Sequence, residues 1–173
     1  MSILLLCSPR IDICISSDHK NLTGRHLLKE QDKGTYLLVI KLKENQRISI
    51  GQQGAKKFNK GIYLYVGRAR RGLQSRIKRH LSKKKKIFWH IDYFLQKAEI
   101  QEVWMKLDFF DECRTALEIK KILKDASSPM KKFGASDCHC PSHLVYLPES
   151  TMRLESLRKR LSFKKVDIHG NQI

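Results

Sequence analysis

A chain of 173 residues with 41% hydrophobic and 30% charged side chains has room for one core with tails, and its composition is neither that of a disordered segment nor that of a bilayer protein. Lys and Arg number 35 against 17 Asp and Glu, a formal charge of +18, which favours a polyanionic partner; nucleic acid comes first, and a ribosome or a membrane surface would satisfy the same arithmetic. Five cysteines without a disulfide spacing, and an apolar run from Ile3 to Cys7 too short for a span or a signal core, lead us to expect free thiols, no membrane and a cytoplasmic location.

In chain order, residues 1–33 show no sustained period and read as an N-terminal extension. Ordered structure is expected from Gly34. Tyr36 to Leu42 is β-branched and aliphatic, Glu44-Asn45-Gln46 is turn-like and Arg47 to Ile50 alternates, which predicts a hairpin broken by Gly51 to Gly54. Gly61 to Gly67 is a glycine-bounded strand with Tyr63 and Tyr65 on one face, expected to share a sheet with those strands. From Gly72 the period becomes helical: Leu73, Arg76, Ile77 and His80 form one stripe. A second helix is expected over Trp89 to Lys97, then a strand through Val103, Met105 and Leu107. A third helix, capped by Asp108 or Asp111, should bury Ala116, Leu117, Ile119, Ile122 and Leu123 before Ser127-Ser128-Pro129 ends it. His143 to Leu147 reads as the last strand, and residues 148–173 as a basic tail in which Met152 to Lys165 is either an amphipathic helix or disordered. The expected fold is α+β, a small mixed or antiparallel sheet flanked by about three helices, with the domain spanning 34–147.

Charge is concentrated. From Lys56 to Lys86 there are thirteen basic residues and no carboxylate. Lys83, Lys84, Lys85 and Lys86 would by default be a solvated face, but beside the Arg76 helix they read as a phosphate groove, joined by Arg68, Arg70, Arg71, Lys78, Arg79 and His90. In Trp89-His90-Ile91-Asp92-Tyr93, His90 and Asp92 either line that groove or orient the site, or else are capping polar groups beside a Trp and Ile core anchor.

Phosphodiester cleavage needs a group to deprotonate or orient water, a cation for the scissile phosphate and a permanently charged donor. Tyr36 and Tyr65 on strands, Arg76 and His80 on a helix and Glu112 at a later helix start appear in the chain order of a known pattern. Gly34-Thr35-Tyr36, Tyr65-Val66-Gly67 and the Arg76–His80 helix resemble the motifs of the GIY-YIG nuclease superfamily; the literal Gly61-Ile62-Tyr63 abuts Tyr65 and is a decoy. GTYLLVI, GIYLYVG, LQSRIKRHL, WHIDYFL, Glu112-Cys113 and FGASDCHCPSHLVYL recur in the order of its Uri-type subgroup, over roughly residues 34–147. Two departures stand out: a longer gap between the first two motifs, consistent with an inserted hairpin strand, and Arg68 where a small Ser is usual.

The resemblance implies a one-metal endonuclease acting on nucleic acid, DNA in preference to RNA. Tyr36 would be the base or water-orienting group, Tyr65 a phosphate-positioning partner, Arg76 the transition-state stabiliser, His80 an assistant and Glu112 the ligand of Mg²⁺ (or Mn²⁺), with Glu118 as rival ligand. Tyrosine, with an ordinary pKa of about 10, would need a positive field such as that of Arg76 to act as a base. A single active site implies nicking unless two chains cooperate; the oligomeric state is open.

Each role has a plainer competitor. The tyrosines suit any sheet, Arg76 any helix surface, and Glu112 a helix N-terminus opposing the macrodipole. The alternatives for the whole chain are a binding module of the same fold without catalysis, for which Arg68 is the hint, and a basic RNA- or ribosome-associated protein. Cys138, Cys140 and His143 invite zinc, but no second ligand pair follows and Cys113 would join only through the fold, so a buried structural turn is favoured there.

Overall fold

The structure is a computed structural model, and it describes residues 32–148 and 152–167. The expectations for residues 1–31 therefore lie outside the described residues. Strands β1 (Gly34–Leu42), β4 (Gly61–Ala69), β5 (Glu99–Leu107), β6 (Leu144–Leu147) and β7 (Lys164–Val166) form one sheet in the order β6-β4-β1-β5-β7, and every neighbouring pair is antiparallel. Between β1 and β4 the chain makes a separate two-stranded hairpin of β2 (Gln46–Ser49) and β3 (Ala55–Phe58). The helices are α1 (Leu73–Leu81), α2 (His90–Phe94), α3 (Glu112–Ile122) and α4 (Met152–Arg160). The fold is thus α+β, as expected.

β1 occupies the middle of the sheet and both its faces are covered, which is why its sequence is an almost unbroken apolar run rather than an alternation. Tyr36, Leu38 and Ile40 join Tyr63, Tyr65 and Met105 beneath α1, α2 and the hairpin. Leu37 and Val39 join Leu64, Val66 and Trp104 beneath α3 and α4. Tyr63, the decoy tyrosine, is fully buried and spends its hydroxyl on the Asn59 carbonyl at 2.6 Å.

Three expectations shift. The alternating segment 47–50 does not pair with β1: it pairs with β3 across Gly51 to Gly54, where Ile50 N–H donates to the Gly54 carbonyl at 2.9 Å, so these strands belong to two sheets. Period identifies a strand but not its partner. α2 is only five residues long and continues as turns over 95–97 into β5. In α3, Asp111 is the cap, accepting from Arg114 N–H at 2.8 Å, while Leu117 is 43% exposed because it lies one residue, roughly 100° of rotation, beyond the buried Ala116.

The domain also runs past residue 147. The segment expected as tail supplies α4 and the edge strand β7, with Leu157 and Phe163 buried against the α3 side of the sheet. Among the described residues no helix is long and apolar enough to cross a membrane.

Candidate functional site

Antiparallel pairing gathers the site at one end of the sheet. The start of β1 lies against the end of β4, with Tyr36 opposite Gly67, and against the end of β5, with Tyr36 opposite Met105. α1 leaves β4 from this end, and α3 begins a few residues beyond β5. A pocket of about 710 Å³ opens there. Tyr36, Tyr65, Arg76 and Glu112, far apart in sequence, all line it.

The Tyr36 hydroxyl and His80 Nε2 are 2.8 Å apart, and the two tyrosine rings are centred 6.5 Å from each other. Tyr36 lies across Gly67 so closely that a Cβ there would enter the phenol ring, which is why the strand needs glycine at that position. Gly134 is held at φ +66° with its backbone against the Tyr65 ring, again leaving no space for a side chain.

Burial governs the protonation of this group. It pushes Tyr36 well above its ordinary value, with Tyr65 adding to the rise and Arg76 opposing it, and it pushes Tyr65 up in the same way. The expectation that the positive field lowers Tyr36 is therefore overturned: desolvation is the larger effect. His80 is driven the other way, by burial and then by Lys85, to about 3. The pair is accordingly a neutral phenol against a neutral imidazole, and His80 Nδ1 has no hydrogen-bond partner among the described residues.

Arg76 needs no acidic partner because it stacks on Trp89, its guanidinium carbon 4.3 Å from the ring centroid. Arg79 stacks on the same ring at 4.0 Å. Asp92 explains the difference between these two arginines. It is fully buried and accepts from Arg79 through both carboxylate oxygens, at 3.0 and 2.9 Å, and from the Phe88 and Trp89 backbone N–H groups. Burial works to raise its pKa, but these donors outweigh it and hold the carboxyl below its usual range. Lys85 Nζ donates to the His80 carbonyl at 2.7 Å and lies 3.9 Å from Asp92.

The expected groove thus divides. Arg79 and Lys85 are tied to Asp92, whereas Lys78, Lys83, Lys84 and Lys86 are exposed and Arg70 and Arg71 line the pocket. His90 lines the pocket too, with Nδ1 accepting from the Gly134 N–H at 3.1 Å.

Glu112 is 4% exposed and begins α3. Its Oε1 meets Arg68 Nε at 3.0 Å, and its Oε2 is buried with no hydrogen-bond partner among the described residues. Arg68 also reaches Asp137 at 3.7 Å, so it bridges two acids of the pocket wall. A hard cation prefers carboxylate oxygen, and an orphaned buried oxygen at the pocket wall suits one. Glu118, the rival, pairs with Arg114 on α3 at 2.9 Å and does not line the pocket.

Trp89 and Asp137 escape a residue-by-residue reading of the site, although both sit in the motifs WHIDYFL and FGASDCHC. Cys113, which lacks a partner in sequence, lies with Cys138, Cys140 and His143 in one cluster. These three cysteines are free, while Cys7 and Cys14 lie outside the described residues.

No curated protein and no solved structure matches the chain. A family model described as "Domain of unknown function DUF123" matches residues 35–165, from the first strand of the sheet to the last, and the chain belongs to that family.

Proposed function

We propose that this domain is a metal-dependent endonuclease that hydrolyses phosphodiester bonds in nucleic acid, DNA in preference to RNA. The observation that carries the reading is the pocket in which Glu112, with one buried oxygen unpartnered among the described residues, and Arg76, stacked on Trp89 and paired with no carboxylate among the described residues, stand beside the Tyr36–His80 pair. The resemblance of the strand and helix motifs to the GIY-YIG nucleases supports the same roles. A Mg²⁺ or Mn²⁺ ion held by Glu112 would supply Lewis-acid polarisation of the phosphoryl group and charge for the leaving oxygen.

Arg76, Arg70 and Arg71 would hold the phosphate, and the Trp89 face keeps the Arg76 guanidinium in place. Tyr36 is held protonated and is no base by itself. With its proton donated to the neutral His80 Nε2, the Tyr36 oxygen is left to accept a hydrogen bond from the attacking water and orient it, and the proton that the water sheds passes to solvent. The water oxygen bonds to phosphorus, the leaving oxygen departs, and solvent protonates it. Tyr65 orients a phosphate oxygen from the neighbouring strand. The three cysteines among the described residues form no disulfide, which suits a reducing cytoplasm as the protein's location.

The test is incubation with labelled single- and double-stranded DNA and RNA in Mg²⁺ or Mn²⁺. Tyr36→Phe, Arg76→Ala and Glu112→Gln should each lower cleavage at least about 100-fold, the scale of losing one transition-state donor, and Glu118→Gln should leave it intact. Equal loss in Glu118→Gln would move the ligand away from Glu112.

One observation favours a second reading, a binding module without catalysis: Arg68 already neutralises Glu112. That reading expects wild type to retain duplex DNA in Mg²⁺ without cutting it.

A further inference from the structure

Cys113 comes from the first turn of α3, Cys138 and Cys140 from the loop after it, and His143 from the residue before β6. The fold brings one ligand atom from each to within 4.8 Å of all the others. His143 Nε2 lies 3.6 Å from Cys113 Sγ and 3.5 Å from Cys138 Sγ. Tetrahedral zinc with its usual bonds to sulfur and nitrogen sets those ligand atoms about 3.6 Å apart. So compact a group suits one ion rather than a polynuclear cluster.

The surroundings hold the ligands in place. His143 N–H donates to the Phe133 carbonyl at 2.9 Å, and its own carbonyl accepts from Val66 of β4 at 3.0 Å. Cys140 is buried, and four protein ligands leave no open coordination position.

We propose that Cys113, Cys138, Cys140 and His143 bind a single zinc ion as a closed Cys₃His structural site, distinct from any cation at Glu112. Binding replaces the three thiol protons, which are released to solvent. Glu112 precedes Cys113 and Asp137 precedes Cys138, so the ion would fix both carboxylates that Arg68 bridges. The proposal is independent of the nuclease reading.

Full-length protein purified under reducing conditions without chelator should carry one zinc per chain by elemental analysis. Replacing zinc with Co²⁺ should produce the visible ligand-field and thiolate charge-transfer bands of a tetrahedral site. Cys113→Ser should weaken Co²⁺ affinity at least about 10-fold. Should that variant fail to fold, His143→Cys still decides, since it preserves four ligands and should keep one ion with shifted bands. Glu112→Gln should keep its zinc whether or not it cleaves. Wild type that contains no zinc, gives no cobalt spectrum and leaves all three thiols equally reactive with and without added Zn²⁺ overturns the site, as does a disulfide between any two of these cysteines under the same conditions.

Discussion

Because His80 is buried against Tyr36 and Trp89, protonating it requires either a charge in the core or an opening of the domain. Its folded value of about 3 lies below the ordinary 6.5, so the unfolded chain takes up the proton first as pH falls. The stability tied to neutral His80 is complete above 6.5 and is lost down to about 3, at no more than about 1.4 kcal/mol per pH unit. Asp92 acts with the same sign at lower pH, since its folded value is depressed below 3.8. Chemical denaturation at pH 7 and pH 5 should show a drop in wild type that is much smaller in His80→Gln, whose amide cannot ionise; equal drops would contradict this. At this scale the stripe Leu73, Arg76, Ile77 and His80 is readable from spacing. The direction of the Tyr36 shift is not, because it depends on cover supplied by His80 of α1 and by Tyr65 of the neighbouring strand, both far away in sequence.

At the scale of elements, strands and helices follow from period wherever the periodic run is long, as in β1, β4 and α1. Pairing does not follow, because 47–50 alternates equally well against β1 or β3 and only the turn at Gly51 to Gly54 selects. The four-residue site at the sheet end is recognisable as motifs in order, but the fourth ligand of the Cys₃His cluster arrives from helix α3, and no spacing rule reaches across the 24 residues between Cys113 and Cys138. The C-terminal segment reads as a tail for a related reason: α4 is strongly basic, and its apolar residues are too few to stand out until they meet Trp104. Leu154, Leu157, Leu161 and Phe163 are all buried there, and β7 covers the edge of β5. Deleting residues 149–173 should therefore cost on the order of 5 kcal/mol of stability at roughly 1.5 kcal/mol or more per buried side chain, read as a lower urea midpoint or as insolubility. A truncated protein with an unchanged midpoint would show that α4 and β7 are dispensable.

For the whole molecule, the excess of basic residues places a large positive field around one pocket, and the fold decides which charges can contribute to binding. Lys83, Lys84 and Lys86 are exposed, whereas Lys85 is turned inward to Asp92. Replacing the first three with Ala should reduce the steepness of the log-log salt dependence of DNA binding by about 0.9 for each phosphate that the protein no longer neutralises. Lys85→Ala should instead lower stability and leave that slope unchanged; the reverse pattern would refute the division of the groove. The proposal that the pocket holds and cuts nucleic acid is tested most directly with supercoiled plasmid in Mg²⁺ or Mn²⁺. Wild type should convert it to the nicked circle and Glu112→Gln, equally folded by circular dichroism, should not. A plasmid left supercoiled by wild type in both metals, or nicked equally by Glu112→Gln, would contradict a nuclease centred on Glu112.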